Sequence, residues 1–203
     1  STLAGTSTGF ADGGSPQFAE PSSVSHLSSD IFVGDTVNNR VRKVTIAGVV
    51  STHAGVAAAG FVDGPSASFS APRGVAAIAG PIGFVADSGN HALRKIAADQ
   101  SVVTISGTGA AGALDGYGVL ATFNGPLGLA IDNYGYIFVA DTGNAKIRLV
   151  APSGLVTDLG VAGLTGPEGL TIDSVGVNLV LSEPATHCVR PYGYFGTNAP
   201  TQA

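Results

Sequence analysis

The chain has 203 residues, 30 of them Gly and only 11% charged, with neither Met nor Trp and a formal charge of -5. That apolar content is too high for a disordered chain, and the acidic balance disfavours a nucleic-acid partner, which calls for a basic stripe that releases counterions. No apolar run approaches the roughly eighteen residues of a membrane span, and the single Cys188 allows neither an internal disulfide nor a cysteine-built metal cluster.

In chain order, the first unit opens on a strand-like STLAG (1–5), followed by the loop GFADG (9–13) and by Phe18 three residues before Pro21. An apolar strand, IFVGD ending on Asp35, a turn and the basic strand RVRKV (40–44) come next. STHAG (51–55) then restates the opening. The second unit runs GFVDG (60–64), Phe69 and Pro72, RGVAAI (73–78), GFVAD ending on Asp87, SGN, ALRKI (92–96) and VVTIS (102–106). The third repeats the order with GALDG (112–116), Phe123 and Pro126, LGLAID (127–132), YIFVAD ending on Asp141, TGN, KIRLV (146–150) and VTDLG (156–160). In the fourth the loop shortens to residues 160–173, before NLVLSE ending on Glu183 and the decayed HCVRPY (187–192). An acid and an arginine keep an offset of seven throughout: Asp35/Arg42, Asp87/Arg94, Asp141/Arg148 and Glu183/Arg190.

Each unit therefore carries four short strands separated by Gly- and Pro-rich turns. The strands ending on the acids are continuously apolar rather than alternating, as expected of strands covered on both faces. Four-stranded antiparallel sheets packed face to face describe an all-β fold, a β-propeller with one blade per unit. The blade units are about 6–55, 56–107, 108–160 and 161–195 plus the strand 1–5, with residues 196–203 as a flexible tail or linker. One outer strand is spare at the front and one is missing at the back. Two closures fit: a small ring in which the N-terminal strand completes the last blade, or an arc of a larger propeller. An arc leaves apolar faces and a strand edge open to association. The sequence starts at Ser1 with no visible signal peptide, which reads as a processed chain or a segment of a longer one.

The succession of Pro-Xaa-Gly strand, apolar strand, ADTGN-type turn and basic strand resembles the NHL repeat, over nearly the whole chain to about Phe195. The resemblance implies a propeller, commonly a six-bladed ring. It implies no single activity, because propellers host unrelated functions. NHL-like peptide-amidating lyases hold a metal in the central channel with histidines, and the NHL domains of tripartite-motif proteins bind RNA. The acidic balance here disfavours the second of these.

Residues that look like a site are weighed against that repeat. A catalytic group is needed once, whereas the acid/Arg pair recurs in every blade, so a structural ion pair is expected at all four positions. Gly89 and Gly143 are expected to take positive φ in the turns, with Asn90 and Asn144 tolerating the same region. In the first blade, where Val37 replaces the glycine, Asn38 or Asn39 takes that place. His91 and His187 are equivalent and are the weak candidates for Ca or Zn in the channel, against a solvent-facing turn; Asn39 and Ala145 replace them in the other blades. His53, at the position of Leu3 and Ile105, is expected to pack, and His26 is the remaining one of the chain's four histidines. Cys188 follows His187 on a strand, so the two point to opposite faces and form no nucleophile–base pair. Asp12, Asp63 and Asp115 read as Asx-type turns, each short of the oxygens that Ca²⁺ needs. Phe18, Phe69 and Phe123 are expected to plug the spaces between blades. Thr197 and Thr201 are possible O-glycan acceptors. Composition suggests an extracellular or surface setting. These readings converge on a non-enzymatic scaffold with protein partners or self-association, and the alternative is a metal-dependent lyase or hydrolase.

Overall fold

The structure is a computed structural model that describes residues 2–78, 82–173 and 178–193. Among them every regular element is a strand or a short 3-10 turn, and no helix is long and apolar enough to cross a membrane. The strands form four antiparallel sheets, one per unit of the sequence. Blade 1 holds β1 (Pro21–Leu27), β2 (Asp30–Asp35), β3 (Arg40–Thr45) and β4 (Val50–Ala54). Blade 2 holds β5 (Pro72–Ile78), β6 (Ile82–Asp87), β7 (Ala92–Ile96) and β8 (Val102–Ser106). In blade 3 a short β9 (Gly116–Tyr117) lies outside β10 (Pro126–Ile131), β11 (Ile137–Asp141), β12 (Lys146–Val150) and β13 (Leu155–Asp158). Among the described residues blade 4 has three strands, β14 (Gly169–Ile172), β15 (Asn178–Glu183) and β16 (Cys188–Gly193). The fold is a four-blade β-propeller.

Face-to-face packing explains the continuous apolar strands. Every residue of β11 is buried, because blade 2 covers one face and blade 4 the other. Phe69 and Phe123, each arriving on the loop before an innermost strand, are fully buried and fill the joints between blades 1 and 2 and blades 2 and 3. The innermost strands sit side by side in the order β1, β5, β10, β14 around an axial groove. A bulge follows the proline at the start of β1, β5 and β10. At this bulge the strands approach closely. A Cβ on Gly74 would overlap the Leu127 carbonyl oxygen, and one on Gly128 the Glu168 carbonyl oxygen.

The two ends of the series are open. β14 and β1 do not pack together as the other neighbouring inner strands do. Val24 of β1 is 72% exposed, although its counterparts Val75 and Leu129 are buried. Val189 of β16 is likewise 72% exposed, while its counterparts Val41, Leu93 and Ile147 are wholly buried. The last face of blade 4 is thus open, whereas on the first face of blade 1 Val24 is exposed while Val33 and Val44 are buried. The N-terminal segment corrects an expectation. Residues 2–5 form no strand and do not complete blade 4. Instead Ala4 packs with Val33, Val44 and Phe18 on the first face of blade 1, the place that Ala54 takes against blade 2. The segment lies where the outer strand of a preceding blade would lie, and without a neighbouring ladder it has no reason to extend. The tail 196–203, with Thr197 and Thr201, lies outside the described residues.

Candidate functional site

In each of the first three blades the turn from the second to the third strand buries an arginine between two acids. Arg94 donates from Nη1 to Asp87 Oδ2 at 2.7 Å and from Nη2 to Asp63 Oδ1 at 2.7 Å. The same two nitrogens donate to the carbonyls of Ser68 at 3.2 Å and Val62 at 2.8 Å. Arg42 repeats this with Asp35 and Asp12, and Arg148 with Asp141 and Asp115. The three arginines and their strand acids are fully buried. Each guanidinium also lies over a ring, Phe69 in the case of Arg94 at 5.3 Å. The planar fork suits this task because it satisfies two carboxylates and two carbonyls at once.

The loop acids therefore do more than shape a turn, which corrects the expectation for Asp12, Asp63 and Asp115. Asp63 accepts from the Thr104 N–H and hydroxyl on β8 as well as from Arg94, tying loop, third strand and fourth strand together. Each strand acid also accepts a backbone N–H from the loop before its own inner strand: Ala19, Ser70 and Asn124 at 2.7–2.8 Å. Burial pushes the Asp87 and Asp141 carboxyls up from the ordinary carboxylate range, against the donors that surround them. Burial acts on Asp63 in the same sense, but the Thr104 donors and Arg94 outweigh it and hold that carboxyl low. In blade 4 the set is reduced. Glu183 is held low chiefly by the Thr165 N–H, and Arg190 is 40% exposed on its side chain, with Nε 3.2 Å from Glu183 Oε2.

The turns differ from expectation in their details. In blade 1 the left-handed residue is Asn39, one of the two expected there, whereas in the other blades it is not the glycine but the residue at the same place, four after the acid: His91, Ala145 and His187, all four with φ between 49° and 56°. Gly89 is needed for clearance, since a Cβ there would run into the Ser70 hydroxyl and carbonyl, and Gly143 faces Asn124 in the same way. Asn90 and Asn144 act through their amides, clamping the strand acid at 2.8 Å to the carbonyls of Gly60 and Gly112. Three hydroxyls that the sequence reading passed over, Thr36, Ser88 and Thr142, each donate to the proline carbonyl that opens the next blade. Their recurrence one place after the acid was the available signal.

The histidines fall in different places. His91 Nδ1 accepts the Gly125 N–H at 2.9 Å, so it bridges blade 2 to blade 3. His187 is exposed at the open end. His53 packs edge-on to Phe32 with centroids 4.8 Å apart, and burial pushes its pKa down. Cys188 donates weakly to the Thr186 carbonyl. Among the described residues no three His, Cys, Asp or Glu side chains gather as metal ligands.

What differs from blade to blade lies along the axis. A groove of about 330 Å³ is lined by the equivalent residues Ser22, Arg73, Leu127 and Glu168, the middle positions of the Pro-Xaa-Gly strands and their counterpart in blade 1. Farther along, His26 and Asp132 border a wider part of about 820 Å³. Asp132 is buried, accepts the Tyr134 and Tyr136 N–H groups at Oδ1, and leaves Oδ2 without a partner.

No family model matches the chain. Over 151 residues, 66% of the chain, it is 32% identical to the NHL repeat-containing protein 2 of Gallus gallus. Over 68 residues, 33% of the chain, it is 44% identical to the chloroplastic protein SUPPRESSOR OF QUENCHING 1 of Arabidopsis thaliana. The chain spans only 21% and 6% of the length of these relatives. Among solved structures, a Bacteroides thetaiotaomicron protein of unknown function superposes with a TM-score of 0.69 at 16% identity, over 84% of this chain and 46% of that one. A gluconolactonase from Xanthomonas campestris superposes with a TM-score of 0.66 at 17% identity, over 85% of this chain and 58% of that one. Such likeness speaks for the fold alone.

Proposed function

We propose that this chain, an NHL-type repeat β-propeller, is a non-enzymatic binding module that engages protein partners through the bare faces of its first and last blades. The observation that carries the reading is the exposure of Val24 and Val189, at 72% each, where the inner joints bury the equivalents Val75, Leu129, Val41, Leu93 and Ile147 and half-bury Leu170. An apolar patch kept open at the end of a repeat array is an association surface. The polar groups that resemble a catalytic constellation support the same reading. Asp87, Arg94, Asp63 and Asn90 are engaged with one another and with backbone groups, and the set recurs in blades 1 and 3. A scaffold outside the cell is the setting that the composition suggests.

A photo-reactive phenylalanine analogue placed at position 189 or 24 tests the module. Discrete partner adducts are expected from those positions and not from position 127 in the groove. Adducts confined to the groove would refute the reading. A second reading, lactone hydrolysis or elimination in the axial groove with bound Ca²⁺ or Zn²⁺, rests on the unpartnered Oδ2 of Asp132 in the wider part of the groove that His26 also borders. Metal-dependent turnover of simple lactones, lost in Asp132→Asn, would establish it in place of the first.

A further inference from the structure

The two open faces of this chain fit each other. Every inner joint combines the same parts, and the ends of the chain carry complementary halves of that set. At the joint of blades 1 and 2, β4 lies along β3 with Ala54 opposite Val41 and Thr52 opposite Arg42. The next glycine, Gly55, faces the ring of Phe69. Residues 2–5 repeat β4 in sequence, and two of its contacts are already in place: Ala4 packs with Val33 and Val44, and Gly5 faces the ring of Phe18. What this segment lacks is a third strand to lie along. Blade 4 has that strand, β16, and among the described residues no fourth strand lies beside it.

The smaller parts match as well. His91 accepts the N–H of Gly125, the left-handed residue before the inner-strand proline, and Asn39 accepts that of Ala71. His187 holds the equivalent acceptor position at the open end, and Glu20, also left-handed, holds the equivalent donor position before Pro21. Pro21 is exposed whereas Pro72, Pro126 and Pro167 are buried. Gly169 keeps the glycine that at Gly74 and Gly128 admits the next inner strand, although here only the Ser182 hydroxyl lies near it.

Resting on the binding-module reading, we propose that the partner is a second copy of this chain. The first face of its blade 1 docks on the last face of blade 4, and its residues 2–5 add to β16 as the fourth strand. In register with the inner joints, Ala4 of one copy lies opposite Val189 of the other and Thr2 opposite Arg190. The contact is head-to-tail, so it closes into an eight-blade ring of two copies if the rotation permits, and otherwise extends into a filament. Pro184 stands where Thr36, Ser88 and Thr142 donate across the inner joints. The joint between copies forgoes that bond and is weaker than those within the chain.

Sedimentation of the full 203-residue chain across concentration reads the association. Mass should rise to that of a dimer or beyond, and Val189→Asp should weaken association by about tenfold or more, the effect of losing an apolar anchor. Register is read by cross-linking. Ala4→Cys and Val189→Cys, each with Cys188→Ser, are mixed under copper phenanthroline after circular dichroism shows both folded. Disulfides joining one variant to the other are expected. A chain that stays monomeric at all concentrations, or disulfides formed only between like variants, would overturn the proposal. A synthetic peptide of residues 1–10 separates this failure from that of the module. If it binds and Val189→Asp weakens it while the chain remains monomeric, the second copy is refuted and the binding module stands.

Discussion

Arg94→Met deletes the guanidinium and keeps much of the side chain's apolar bulk. The head makes four hydrogen bonds, to Asp87, Asp63, Ser68 and Val62, and it is wholly buried. Its loss strands the Asp87 carboxylate and the Ser68 carbonyl away from water. Removing one partner of a buried ion pair costs about 3–5 kcal/mol, a large share of the roughly 5–15 kcal/mol that hold a typical domain. Arg190→Met, at the equivalent position of blade 4, removes a 40% exposed side chain whose one ionic contact is the buried Glu183 carboxylate, which keeps the Thr165 and Gly166 N–H donors, and should cost less, about 1–3 kcal/mol. Urea unfolding measures both, as a shift of midpoint at unchanged slope. Asp87→Asn with Arg94→Met should cost less than the sum of the singles, because the double variant leaves no unpaired buried charge, Asp63 being half exposed. If Arg94→Met does not fold, Arg94→Lys, which keeps the charge without the fork, should fall between it and the parent. Equal costs at positions 94 and 190, or an additive cycle, would refute the argument that burial and the second acid make the pair essential.

Two further outcomes follow from the packing. His53 has its pKa lowered from 6.5 by burial first and by Lys43 second, so the unfolded chain binds the proton more readily. Stability is then complete above pH 6.5 and falls as pH drops through the lower folded value. His53→Ile, the residue that blade 2 uses, should flatten that slope between neutral and mildly acid pH in thermal melts, and an unchanged slope would count against it. Gly74→Ala should cost about 1–3 kcal/mol because the Leu127 carbonyl occupies the place of the new methyl. Gly169→Ala, which meets only a rotatable Ser182 hydroxyl in the isolated chain, should stay within about 0.5 kcal/mol. Equal losses at the two glycines in chemical denaturation would show that the close approach of inner strands is not what these positions serve.

Much of the fold was legible because a propeller repeats its needs. The apolar run of β11, the Pro-Xaa-Gly bulge and the acid/Arg offset recur in phase, and each local pattern maps onto one strand or turn. The roles of individual polar residues were less legible. Asp63 is 31 residues from Arg94, and only the folded loop brings its carboxylate to the guanidinium. Gly89 looks like a turn glycine, yet its reason is the Ser70 carbonyl of a distant loop. The left-handed residue one place after Asn90 can be His, Asn or Ala, so composition does not mark it.

The sequence by itself determined an all-β propeller of four in-phase repeats, the first preceded by a copy of the outer-strand segment. Those features are periodic and local, and each unit carries its own copy of the instructions. Only the tertiary structure decided how the ends meet. Whether Val24 and Val189 face each other or solvent depends on the rotation summed over three joints, each set by how side chains such as Phe69 and Phe123 fill it. No residue pattern within a unit encodes that sum. In the folded chain Val24 and Val189 are exposed, residues 2–5 lie along blade 1, and among the described residues no fourth strand lies beside β16.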